Sequence, residues 1–457
     1  MDRRRWLALT VAALLGGTAF PAGALADDKP AVALTALTLD EAVERAVSSN
    51  RGLQQLEIAL KNLDLGRQEI QKAQDGLDDQ RAILNGQIQG LWMQMSQLAK
   101  LPNPPVQQID QLDRQIQALE DQRKKLEFAD DQFEKQLADL KRQREKLRLQ
   151  QAQVEEALAA GVKELYVGLL NLKDQIELLK EKQALTDREV AAAEDRYSLG
   201  LLSRYDRDKA ARAKADQALA IANAERAWEN LLDALSALID RPLDPKVRLS
   251  EVPFRPEAVE PVPSPEAPDE WIDQTFSVRQ AALDLEQARA DERYVKQQID
   301  KDNPTYKDPN DDSKATREKE KAANAVRQKE LALAQARQDA RTSVQKLMRS
   351  VAEAREEFAR ATAKWKEATV DVSAVRVRQE LGLISSLDVD RAELMTRQAA
   401  AAMDQAKRSY YLAVEKLAAL KRGYLDTSGS APAASSGSGG APASAAASGD
   451  GAGSAGR

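Results

Sequence analysis

The chain contains no cysteine and no histidine in its 457 residues, and aromatic residues make up only 4%. Without cysteine there is neither a disulfide nor a thiolate nucleophile, whatever the redox compartment. Without histidine the common zinc sites and histidine-based triads are excluded as well, and no metal or cofactor is expected. The carboxylates that remain assemble no nucleophile, base and oxyanion donor, so an enzyme is not expected. Long apolar runs are equally scarce: beyond the first 26 residues none reaches the length of a membrane-spanning helix. The formal charge of −6, with both signs interspersed, argues against a nucleic-acid partner.

What is present is a helix-forming composition. Charged residues are 31% of the chain, a balance suited to narrow apolar seams between long helices rather than one wide core. Residues 1–26 read as an export signal: Arg3, Arg4 and Arg5 precede a short apolar run from Trp6 to Gly17, and Ala24-Leu25-Ala26 supplies a cleavage pattern. A short membrane anchor is the alternative reading of that segment. Its loss removes three arginines and one aspartate and takes the charge from −6 to −8. At the other end, 428–457 holds little but Ser, Gly, Ala and Pro, the composition of a disordered tail.

Between these ends the pattern predicts an all-α fold. Thr38 and Glu41 have the spacing of a capping box that opens a helix through Ala42, Val43, Ala46 and Val47. A second helical pattern starts at Leu53. Residues 74–133 then read as a coiled-coil hairpin. One arm carries Leu84, Ile88, Leu91, Met95 and Leu98, and the other Ile109, Leu112, Ile116, Leu119 and Leu126. Pro102, Pro104 and Pro105 separate the arms, because proline cannot continue a helix. Trp92 and Met93 flank the seam. A further seam through Val154, Leu158, Val162, Leu165 and Leu169 leads to Arg196 and Gly200, and a return helix runs to about Leu238. Residues 240–269 hold eight of the seventeen prolines and read as an irregular linker with one short strand at most.

The pattern then recurs. Residues 182 apart match: Arg378 with Arg196, Leu381 with Leu199, Gly382 with Gly200, Leu383 with Leu201, Ser385 with Ser203 and Asp388 with Asp206. The same offset pairs Val344 with Val162, Leu347 with Leu165, Leu417 with Leu235 and Leu420 with Leu238. We therefore divide the chain into a first helical repeat (27–239), the linker, and a second repeat (270–427). In each, a glycine able to take a left-handed conformation closes a long helix, and Ser203 or Asp206, or Ser385 or Asp388, caps the next. Leu201 and Leu383 stand at these reversals, where a plain turn favours polar residues. They serve either local packing or a partner.

The order of these features, twice over from Leu37 to Leu425, resembles the TolC-type outer-membrane efflux family. The Leu39-Asp40-Glu41-Ala42 segment and both Gly-Leu reversals carry the resemblance. It implies three chains forming a hollow helical cylinder, with an inner-membrane pump and a periplasmic adaptor as partners. On that basis Gly200, Leu201, Ser203, Gly382, Leu383 and Ser385 are expected to contact the adaptor. Asp206 and Asp388 are candidates for the periplasmic aperture, or simply caps, and Arg391 stands where a second acidic ring is usual. In that family each repeat also contributes a pair of membrane strands. Residues 73–130 have a period near 3.5 rather than 2, and 302–312 is too short and acidic to cross lipid. The barrel strands are expected to be absent or vestigial. Two functions follow: a conduit for efflux or secretion, or a structural coiled-coil protein of the cell envelope without transport.

Overall fold

The computed structural model describes residues 34–259, 268–306, 311 and 313–425. The expected export signal (1–26) and tail (428–457) lie outside the described residues. The chain divides into two compact units, Met1–Asn50 with Leu165–Val252, and Arg51–Glu164 with Pro253–Arg457. The elements, in chain order, are β1 (Leu34–Leu37), α1 (Leu39–Ser49), α2 (Arg51–Ala99), α3 (Val106–Ser198), α4 (Arg204–Ile239) and β2 (Leu243–Leu249). A single 3-10 turn at Pro256–Ala258 leads to α5 (Asp269–Gln274), α6 (Phe276–Asp300), α7 (Lys314–Glu380) and α8 (Ser386–Lys421). The expected all-α class holds, with two short strands as the only sheet among the described residues.

In the first unit the capping box forms as its spacing requires: Thr38 Oγ1 accepts from the Glu41 amide, and Glu41 Oε2 accepts from the Thr38 amide, both at 3.3 Å. This satisfies two amides that the first helical turn leaves without partners. Ala42 and Ala46 of α1, Leu232, Leu235 and Ile239 of α4, and Val247 and Leu249 of β2 are buried. β1 and β2 pair in parallel, Ala36 with Arg248 and Leu37 with Leu249, after an irregularity next to Leu34. The strand in the proline-rich segment was expected; its partner β1 was not.

Tyr166 fastens that pair to α3. Its ring is fully buried, and its hydroxyl lies 3.0 Å from the Leu37 carbonyl and 2.8 Å from that of Ser250. One proton serves both acceptors. Burial pushes the Tyr166 phenol from 10.0 up to about 12. In the unfolded chain the phenol ionises near 10, so the unfolded state holds fewer protons between pH 10 and 12. Stability from this group is complete below pH 10 and is lost as pH rises towards 12. Tyr166→Phe should cost about 1–3 kcal/mol at neutral pH, by leaving carbonyls unpaired, and should flatten the alkaline loss. Circular dichroism against pH for both proteins checks this; parallel curves would contradict it.

In the second unit, the chain pauses at Lys100–Pro105 and α2 and α3 form the expected hairpin. Ile88 and Ile116 are buried at its centre, while the remaining seam residues are half-buried, as two helices alone can cover only a narrow stripe. Gln74 Nε2 and Arg81 both donate to the Asp130 carboxylate at 3.0 Å, tying the arms together at their base. Trp92 and Met93 are exposed on the flank.

The helix expected from Asp269 to Ile299 is in fact two. Thr275 has extended backbone (φ −60°, ψ 140°) and separates α5 from α6. The freed Phe276 amide donates to the Gly423 carbonyl at 2.8 Å. Of the second excursion, the described residues 302–306 form turns, as expected. Asp302 takes a left-handed conformation (φ +57°) after α6, and a buried polar network holds it. Lys301 Nζ and Gln298 Nε2 each donate to Asp131 at 2.8 Å, and Asn303 Nδ2 donates to Gln298 Oε1 at 2.6 Å. Helix α7 has 67 residues, about 100 Å at 1.5 Å per residue. It packs on α8 through Val344, Met348 and Leu420, then through Val351, Tyr410 and Ala413 with Phe254 and Phe358. The Phe254 ring meets Tyr410 edge-on at 5.3 Å between centroids, a preferred aromatic geometry.

Candidate functional site: the two helix reversals

At the first reversal, α3 ends with Gly200 at φ +72°. The Gly200 amide donates to the Tyr197 carbonyl at 2.9 Å and the Leu201 amide to the Arg196 carbonyl at 2.8 Å. This is a Schellman closure, which needs a residue with positive φ and so favours glycine. Ser203 then caps α4: its Oγ accepts from the Asp206 amide at 3.1 Å and donates to Asp206 Oδ2 at 2.6 Å. The Arg207 guanidinium lies 4.4 Å from the centre of the Tyr197 ring. Leu199, Leu201 and Tyr205 are exposed, Leu201 at 73%.

The second reversal repeats this atom for atom in its essentials. Gly382 sits at φ +70°, and its amide donates to the Gln379 carbonyl at 2.8 Å while the Leu383 amide donates to Arg378 at 2.9 Å. Ser385 Oγ accepts from the Asp388 amide at 3.3 Å, and Asp388 Oδ2 accepts from the Ser385 amide at 3.2 Å, completing a capping box. The Ser385 hydroxyl and amide, helped by Arg391 at 3.3 Å, hold the Asp388 carboxyl below the usual carboxylate range. Leu381 and Leu383 are exposed, Leu383 at 70%.

The geometry thus places Ser203 with Asp206, and Ser385 with Asp388, as helix caps. Each carboxylate's nearest partner is its own serine. The leucines make the opposite statement: four large apolar side chains at two reversals are left in water, where packing within the chain does not use them. Sequence reasoning did not single out Tyr197 and Arg207, and their stacking at the first reversal has no counterpart at the second, where Val389 follows Asp388. Among the described residues no cluster of histidine, cysteine and carboxylates is placed to hold a metal ion, and no helix is long and apolar enough to cross a membrane.

No protein-family model matches the sequence, and no curated protein matches it significantly. Solved structures do. A membrane protein from Pseudomonas aeruginosa superimposes with a TM-score of 0.54 at 13% identity, over 90% of this chain and 97% of that one. CusC, whose structures describe transmembrane channel formation, gives 0.54 at 10% identity over 83% and 93%. The outer-membrane channel OprN gives 0.53 at 12% identity over 88% and 98%. At such identities the likeness is one of fold. That fold is the one used by protomers of TolC-type outer-membrane channels.

Proposed function

We propose that this protein is a component of an efflux or secretion conduit of the cell envelope. Copies of the chain, three by resemblance, join their long helices into a tube, and the reversals at Gly200–Leu201 and Gly382–Leu383 dock a periplasmic adaptor that links the tube to an inner-membrane pump. The observation that carries this reading is the channel-protomer fold, which extends over 83–90% of the chain. The two reversals support it, since each ends in a rigid closure that displays an unburied leucine. Repeat boundaries at 27–239 and 270–427 belong to the same proposal.

A second reading is a structural coiled-coil protein of the envelope without transport. It is favoured by the α2–α3 hairpin, which fills the segment where the resemblance implies a pair of membrane strands. Deleting the gene in its host separates the two. A conduit component should raise the intracellular accumulation of exported compounds on deletion, and light scattering on the purified protein should return about three times the chain mass. Unchanged accumulation together with a single-chain mass would leave only the structural reading.

A further inference from the structure

Away from both reversals, the second unit holds a cavity of about 300 Å³ between α3, α7 and α8. Its charged rim is mostly self-compensated. Three ion pairs run from α3 to α8 and the residue that follows it: Glu156 with Arg422 at 2.8 Å, Lys163 with Glu415 at 2.6 Å and Glu164 with Lys416 at 2.6 Å. Lys346, on the α7 wall, is the exception. It is exposed, and among the described residues it has no ion-pair partner. Most of the exposed lining is apolar, and Leu347, Leu412 and Leu425 contribute to it.

We propose that this cavity binds a small amphipathic anion: one carboxylate on an unbranched alkyl chain. The head pairs with Lys346 and the chain lies along Leu347, Leu412 and Leu425. Charge selects the sign. With the three rim pairs neutralised internally, the lysine leaves one uncompensated positive charge at the mouth. The apolar lining selects the body, because a fully polar ion would leave those leucines wet. Volume selects the length: at roughly 30 Å³ per water-sized group, 300 Å³ holds about ten non-hydrogen atoms, which is the size of octanoate. The site is independent of the conduit reading, since it uses neither reversal and needs no partner chain.

Calorimetric titration of the full chain with octanoate, octylammonium and 1-octanol tests the proposal. Octanoate should bind saturably at one site per chain, and octylammonium should not. Lys346→Glu should weaken octanoate at least tenfold, whereas Lys346→Arg, which keeps the charge, should hold affinity within about threefold. Because Lys346 is exposed, both variants should match the parent's circular dichroism. Equal binding of octylammonium, an unchanged affinity in Lys346→Glu, or 1-octanol binding as tightly as octanoate would each overturn the assignment. If Lys346→Glu alters the spectrum, the octanoate and octylammonium titrations of the unmodified protein decide the matter on their own.

Discussion

Gly423→Ala is expected to destabilise the protein by about 2–6 kcal/mol, more than alanine at either tip glycine. Gly423 follows α8 at φ +102°, outside the range side chains favour. Its amide donates to Leu420 at 2.8 Å, the Tyr424 amide donates to Ala419 at 3.0 Å, and its carbonyl receives the Phe276 amide. A Cβ added there would lie 2.6 Å from the Gln274 carbonyl oxygen and 3.2 Å from the Phe276 ring. Backbone strain of about 1–3 kcal/mol therefore adds to an overpacking cost of about 1–3 kcal/mol. At Gly200 and Gly382 the same Cβ meets nothing within 4 Å, so only the backbone strain of about 1–3 kcal/mol applies. Denaturant midpoints read by circular dichroism rank the three variants. Equal shifts would show that the α8 terminus is looser than its contacts imply.

The second large effect is functional. A double variant, Leu201→Asp with Leu383→Asp, should reduce export to the level of the gene deletion while leaving fold and oligomer mass unchanged. Both side chains are exposed in the free chain, and substitutions at such positions usually shift stability by less than about 0.5 kcal/mol. In a docked complex the balance changes, because an aspartate pressed into an apolar socket is a desolvated charge without a partner. A few kcal/mol per tip lowers affinity by orders of magnitude. Ser203 and Ser385 still cap their helices in this variant, so the backbone that presents the tips is preserved. Full export from the double variant would remove the tips from the docking proposal without touching the fold.

The sequence disclosed local instructions well and distant ones poorly. Pro102, Pro104 and Pro105 stop a helix by chemistry confined to a few atoms, and α2 and α3 end and begin on either side of them. The Gly-Leu-x-Ser spacing likewise specifies a Schellman closure followed by a serine cap, and both reversals have that form. The features that escaped depend on partners far along the chain. β1 is four residues long and pairs with a strand containing Pro245, a residue that argues against a strand when met in sequence. The break at Thr275 has no proline or glycine beside it; the Gly423 carbonyl makes it possible by accepting the Phe276 amide. Neither the cavity nor the division of α3 between two compact units leaves any trace in heptad spacing, because both arise from how sequence-distant helices meet.

The three ion pairs that join α3 to α8 and the residue after it have a consequence for alignment. Their side chains are partly solvent-exposed, so each adds little to adhesion. They nevertheless act as a detent. Sliding α8 by two turns in one direction would face Glu156 with Glu415 and Lys163 with Arg408; sliding it the other way would bring Lys163 against Arg422. Like charges meeting head-on disfavour such slippage. The charge pattern thereby gives the two segments one place to stop.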